Sequence, residues 1–205
     1  MNASDESVIR APARADFAAI AEWIKHGSKV LDLGCGDGEL LGYLRQARDA
    51  HGYGVEIADD GVVACIANRV NVIQSDLETG LSGFGTNSFD YVILSQTLQA
   101  MKNSERIISE MLRVGREGIV TFPNFGYFPH RVQVLMGRMP SSPAIPYQWY
   151  DTPNIHLCTI DDFENFCATH RVKILERVVM RKGKRVSLAP NLCGDLAVYR
   201  FEEQR

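Results

Sequence analysis

Val30-Leu31-Asp32-Leu33-Gly34-Cys35-Gly36-Asp37-Gly38-Glu39-Leu40 decides how this sequence folds. Lys29 to Leu33 is a short apolar run broken by one acid, and it reads as a buried strand. Glycines at alternate positions then turn the chain. Gly38 to Arg48 follows as a helix with Leu40, Leu41 and Leu44 facing inward. Glycines at such a turn let a ligand approach the backbone without meeting a Cβ. The start of the following helix directs free N–H groups and the positive end of its dipole at the same place. A dinucleotide fingerprint would read G-x-G-x-x-G and seat a pyrophosphate. This turn reads G-x-G-x-G instead, with Asp32 two residues ahead of it. A carboxylate at that point repels a pyrophosphate and suits a ligand carrying an ammonium group.

The same alternation continues on both sides. Ala13 to His26 predicts a helix burying Phe17, Ile20, Ala21 and Ile24, stopped by Gly27. Strands are expected at Gly52 to Ile57, Asn71 to Gln74, Phe89 to Leu94 and Glu117 to Phe122. Between them, Asp59 opens a helix that buries Val62, Val63 and Ile66. Asn103 or Ser104 caps another, with Ile107, Ile108, Met111 and Leu112 inward and Gly115 near its end. Val-, Ile- and Leu-rich strands alternating with amphipathic helices predict an α/β, doubly wound, mostly parallel sheet covered on both faces.

The pattern changes after Phe122. Six of the eight prolines lie between Pro123 and Pro153, among Phe125, Tyr127, Phe128, Tyr147, Trp149 and Tyr150. Within this stretch Arg131 to Met136 is expected to form one short helix. A connection this long inside a compact domain is usually functional, and it follows the end of a strand where open α/β sheets bind ligands. Thr159-x-x-Asp162 then predicts a capping box opening a helix over Phe163, Phe166 and Cys167. Val172 to Met180 and Asp195 to Phe201 are late strands, joined through the basic stretch Arg181 to Arg185. The expected organisation is a loose arm over 1–12 and one domain over 13–205, with an insertion at 123–158.

Composition agrees with a globular domain. The chain has 205 residues, 45% of them hydrophobic, and a formal net charge of −3. Disorder and a strongly basic nucleic-acid binder are disfavoured. No apolar run approaches the roughly 18–20 residues needed to cross a bilayer, and Met1 to Arg14 lacks the apolar core of a secretory signal. Five scattered cysteines without a C-x-x-C pair argue against a disulfide framework or a zinc site, and for a reducing cytoplasm. No metal is expected. Arg181-Lys182-Gly183-Lys184-Arg185 is the only basic run, and it reads as a solvated turn.

Three acids now share one expected edge. Asp32 lies in the first strand, Glu56 ends the second, and Asp76 follows the third. A carboxylate at the end of the second strand can accept both hydroxyls of a ribose. Taken singly, Glu56 is also an ordinary exposed strand end, and Asp76 is equally a turn or helix cap. Their joint spacing resembles the class I S-adenosylmethionine-dependent methyltransferases. That resemblance implies S-adenosylmethionine or S-adenosylhomocysteine held by Asp32, Gly34, Cys35, Gly36, Glu56, Ile57, Asp76 and Leu77, with Ile57 against the adenine ring. It also implies seven strands, six parallel and one antiparallel.

A closer resemblance runs through most of the chain. VLDLGCGDGELL (30–41), GYGVEI (52–57), NVIQSD (71–76), FDYVILSQTLQ (89–99), FPNFG (122–126) and YQWYDTPNIHLCTIDDF (147–163) are similar to the MetW methionine-biosynthesis proteins. The last block is the most specific, since it lies outside the shared cofactor segments. MetW membership implies a partnership with homoserine O-acyltransferase, and leaves open the acetyl or succinyl pathway. One departure stands out. The family usually continues from Phe125-Gly126 with a His-Trp pair, whereas this chain reads Tyr127-Phe128-Pro129-His130. His130 either replaces that histidine from a shifted position or sits on the surface.

Methyl transfer from a sulfonium mainly needs the acceptor positioned, and an oxygen or nitrogen acceptor often adds a base. The candidates for such a base are Tyr127, His130, Tyr147, Asp151 and His156. His156 reads equally as a structural histidine ahead of a helix. At Gln99 and Ala100, where many small-molecule methyltransferases carry an acid-histidine pair, this chain is neutral. Two readings therefore stand: a partner protein of the acyltransferase that senses S-adenosylmethionine, and an active methyltransferase on a small molecule. The apolar residues Val132, Val134, Leu135 and Met136 offer a partner surface or pack as a lid. A homodimer stays open; nucleic acid and membrane are not expected partners.

Overall fold

The fold is organised around one eight-stranded sheet of order β3-β2-β1-β4-β5-β8-β6-β7. The computed structural model describes residues 14–204, so the expected arm over 1–12 lies outside the described residues. The strands are β1 (Lys29–Leu33), β2 (His51–Glu56), β3 (Val72–Gln74), β4 (Phe89–Ser95), β5 (Gly115–Pro123), β6 (Val172–Arg181), β7 (Lys184–Arg185) and β8 (Leu196–Glu203). β1 to β5 pair in parallel. β8 runs antiparallel to both β5 and β6, so β6 points the same way as the first five. The expected seven strands are all present. The eighth is the two-residue β7, which makes a hairpin with β6 through Lys182-Gly183, both at positive φ as a tight primed turn requires.

Alternation along β4 explains the two-sided covering. Tyr91 and Ile93 join one apolar cluster, and Val92 and Leu94 the other. On the first side lie α1 (Ala15–Trp23), α2 (Glu39–Arg48) and α3 (Asp59–Ala67). On the second lie α4 (Ser104–Val114) and α6 (Ile160–Thr169). The predicted inward residues of α1 and α2 are all buried. Asn103 caps α4 through Arg106 N, and Thr159 and Asp162 form the expected capping box on α6. The insertion holds α5 (Phe128–Leu135), longer than expected because Pro129 sits in its first turn, where a missing N–H costs nothing. A one-turn helix, α7 (Pro190–Cys193), lies between β7 and β8, a connection that sequence periodicity did not resolve.

Helix α3 departs from expectation. Val63 and Ile66 are 66% and 65% exposed, and Cys65 is the buried residue. The face that packs inward must be small, because α3 lies against the glycine turn. A Cβ on Gly61 would come within 2.8 Å of Glu56 Cγ, and Cys65 Sγ donates to Gly36 O at 3.2 Å. Asp59 is likewise not the cap. Ala58 holds that position without a side-chain bond, and Asp59 accepts from Gln74 Nε2 at 2.5 Å.

Candidate functional site

Strand order reverses between β1 and β4, and open parallel sheets bind ligands in the crevice at such a point. Asp32 comes from the β1 side of it. Register and alternation put its side chain on the α1 face, and it is 2% exposed. Its Oδ1 has no hydrogen-bond partner among the described residues. Burial lifts its pKa from 3.8 to about 7; the nearby Arg14 guanidinium opposes the rise and Glu56 adds to it. An unpaired buried carboxylate oxygen is costly, and a positively charged ligand is its natural complement.

The glycine turn is built to stay open. Gly34 N and Cys35 N both donate to Val55 O, at 2.8 and 3.1 Å, which ties the turn to β2. Gly36 has φ +57°, and a Cβ there would meet no protein atom within 4 Å. The space above Gly36 is therefore free for a ligand. On its other flank a Cβ at Gly34 would strike Thr97 Oγ1 at 2.9 Å, which shows how closely the segment after β4 approaches the turn.

Glu56 faces the turn. Its Oε2 accepts from Gly36 N at 2.8 Å, and its Oε1 accepts from Ile57 N at 2.9 Å and Ala58 N at 3.0 Å. A carboxylate offers about four lone-pair positions. A ribose diol would thus take the remaining position and share or displace one backbone donor. Ile57 beside it is exposed. Asp76 caps the 3-10 turn Leu77–Thr79, accepting from Glu78 N at 2.9 Å, while Leu77 packs partly into the core. Cys35 and Cys65 sulfurs stand 3.6 Å apart behind the turn, and burial pushes both thiols upward in pKa, so both are neutral. Asp32, Gly34, Gly36, Glu56, Ile57 and Asp76 lie at or just beyond the carboxyl ends of β1, β2 and β3, whereas the side chain of Cys35 packs behind the turn and that of Leu77 into the core. The donors and acceptors at those strand ends fit an adenosyl ligand with an ammonium group.

Of the five acid-base candidates, Tyr127 and His130 pack against each other, and Asp151 and His156 bond to backbone groups elsewhere. His130 is fully buried, which rules out a surface position. Its Nδ1 lies 3.2 Å from Asn124 O and its Nε2 3.0 Å from Ser142 Oγ, with Tyr127 edge-on at 5.3 Å. Burial lowers its pKa, so it is a neutral pin between β5 and the insertion. Asp151 Oδ1 accepts from Gln148 N at 2.7 Å, and exposed His156 lies with Nε2 3.3 Å from Lys102 O. Tyr147 is exposed. No group of three or more His, Cys, Asp or Glu among the described residues is placed to hold a metal.

Residues 14–201 match the family model described as "Methionine biosynthesis protein MetW". A bifunctional methionine biosynthesis protein MetXA/MetW from Rhodopirellula baltica is 39% identical over 203 residues. That alignment takes in 92% of this chain, which spans about a third (33%) of the relative's length. Solved structures share the fold. One is an S-adenosylmethionine-dependent methyltransferase, possible histamine N-methyltransferase, from Thermotoga maritima, with TM-score 0.67 at 15% identity, covering 93% of this chain and 88% of that one. Another is the [4+2]-cyclase SpnF, with TM-score 0.67 at 17% identity, covering 97% and 85%. A fold shared with a cyclase carries no reaction with it.

Proposed function

This chain belongs to the MetW family of methionine biosynthesis proteins, and from that premise we propose that it binds S-adenosylmethionine at the carboxyl edge of β1–β3 and supports a homoserine O-acyltransferase. One observation carries the binding reading. Asp32 holds an unpartnered buried oxygen beside the open backbone of Gly36. The partner reading draws on the relative whose name joins MetXA to MetW. It also draws on His130, which is buried and held between Asn124 O and Ser142 Oγ rather than free to act as a base, and on the insertion. There Leu135 is 87% exposed and Trp149 72%, with Val134, Met136 and Met139 also out. Aromatic and Met side chains of this kind are enriched at interfaces.

Isothermal titration with S-adenosylmethionine, with and without purified homoserine O-acyltransferase, tests both parts. The expected result is saturable binding to this chain alone, and an acyltransferase whose activity rises when the chain is added. Absence of binding overturns the cofactor reading. Methyl transfer to a defined small molecule, with no effect on the acyltransferase, replaces the partner role with an enzymatic one. No helix among the described residues is long and apolar enough to cross a membrane.

A further inference from the structure

A second pocket opens on the other side of the sheet from Asp32. Asp32 pairs with Ile93, which belongs to the α1 side. This pocket is walled by Leu98, Ile108, Leu157 and the rings of Phe122, Phe163 and Phe166, and all of these but Leu157 pack on the α4 and α6 side. Its volume is about 270 Å³, near the lower end of small-molecule sites. Gln99, in the 3-10 turn Leu98–Ala100, also lines it and is only 8% exposed. Gln99 Nε2 donates to Gln96 O at 2.7 Å, and Gln99 O accepts from Ile155 N at 2.8 Å and His156 N at 3.0 Å. Its Oε1 has no hydrogen-bond partner among the described residues. His156 to Cys158, which line the pocket, belong to the insertion, and Phe125 N fastens them again by donating to Cys158 O at 3.1 Å.

We propose that this pocket is a second small-molecule site, which takes a compact apolar ring bearing one O–H or N–H donor, of the phenol or indole class, with the donor on Gln99 Oε1. Two separate observations meet here. The walls are apolar and rich in rings, so they favour a ring both by the area it buries and by edge or offset contacts. The buried acceptor of Gln99 is left open, and an acceptor left unmet costs stability, so it calls for a donor. Water is a poor substitute. An ordered water needs about two to four polar partners, and the neighbouring Ser104 hydroxyl is already directed at Leu98 O, 3.4 Å away. A bound ring would brace the insertion against the segment after β4, whose Thr97 comes close to Gly34 on the far side. The site stands apart from the adenosyl crevice and does not depend on the cofactor reading.

The test compares phenol with toluene, which are nearly equal in size and differ in the donor. Each is titrated into the unaltered protein carrying 13C-labelled Leu and Ile methyl groups. With phenol, the methyl signals of Leu98, Ile108 and Leu157 should shift and saturate. Phenol should bind about 2–10-fold more tightly than toluene, the range of one neutral hydrogen bond. An apolar pocket without a usable acceptor gives the opposite order, because phenol has more hydration to lose. Gln99→Met removes the acceptor at similar length and should bring toluene ahead. The comparison in the unaltered protein stands even if that variant fails to fold. Saturating S-adenosylmethionine should leave phenol in place, and a protein that binds no S-adenosylmethionine should still bind phenol. Four results overturn the inference: no saturable shift at the three residues, toluene ahead of phenol in the unaltered protein, a folded Gln99→Met variant that keeps the preference for phenol, or displacement of phenol by S-adenosylmethionine, which would put the ring in the crevice.

Discussion

Replacing Asp32 with asparagine should make the empty protein more stable and weaken its hold on the ligand. A carboxyl whose pKa rises from 3.8 to about 7 on folding binds its proton more tightly in the native state. The native state then loses stability as pH climbs from about 4 to 7, and at 1.36 kcal/mol per unit the full loss is about 4 kcal/mol. An amide carries no charge to bury, but it leaves part of its own hydrogen bonding unmet, so the gain at pH 8 should be about 1–3 kcal/mol. For a domain of this size that is roughly 3–10 °C in the unfolding midpoint. The parent should also become more stable as pH drops from 7 toward 5 with respect to this one group, and the Asp32→Asn variant should lack that component. Ligand binding should show the mirror image. The charged form is the one that meets an ammonium, so affinity should fall about tenfold per pH unit well below 7, and Asp32→Asn should flatten the profile. Proton release measured by calorimetry in buffers of different ionisation enthalpy should approach one per ligand at pH 6. A variant that is less stable than the parent at pH 8 and binds the ligand normally refutes the argument.

Gly36→Ala should cost only about 1–2 kcal/mol of folding stability, because the strain is a single left-handed residue with open space around it. Ligand affinity should nevertheless fall at least tenfold, since the added methyl occupies the approach; thermal unfolding beside calorimetry separates the two effects. Glu56→Gln should weaken adenosyl binding by about 1–3 kcal/mol, and an unchanged dissociation constant would remove Glu56 from the site. His130→Ala should destabilise by about 2–4 kcal/mol through its two lost bonds and the cavity left behind, with cofactor affinity unaltered. His130 has a native pKa held below its ordinary value, so its protonation favours unfolding. This contribution is complete above about 6.5 and is lost as pH falls through the acid range, which urea titrations of parent and variant at several pH values will show.

Most of the sheet was legible because its strands are short apolar runs between amphipathic helices, and the glycine turn names its own geometry. The three acids at Asp32, Glu56 and Asp76 were legible as a set because each belongs to a strand, or follows one, whose position the pattern predicts. What escaped has local causes. Val63 and Ile66 follow the inward period yet face solvent, since α3 must approach the turn through Gly61 and Cys65. His130 reads in sequence as either a shifted functional histidine or a surface residue, because nothing there announces that Asn124 and Ser142 converge on it. Arg14 and Asp16 went unnoticed for a similar reason. Their partners, Ser95 and Thr121, are distant in sequence and meet them only across the folded edge.

The antiparallel strand β8 decides on which rim the C-terminal end of the described domain emerges. Leu196 pairs with Pro123 at the ligand edge, and the strand then travels away until Glu203 lies beside Val172 on the opposite rim. Arg14, by contrast, stands on the ligand rim itself. A segment that enters the domain at Arg14 starts beside the crevice. One joined after Glu203 would start a full strand length away, about 25 Å at 3.3 Å per residue. Affinity tags and fluorophores therefore belong downstream, and a fusion meant to couple two activities belongs upstream.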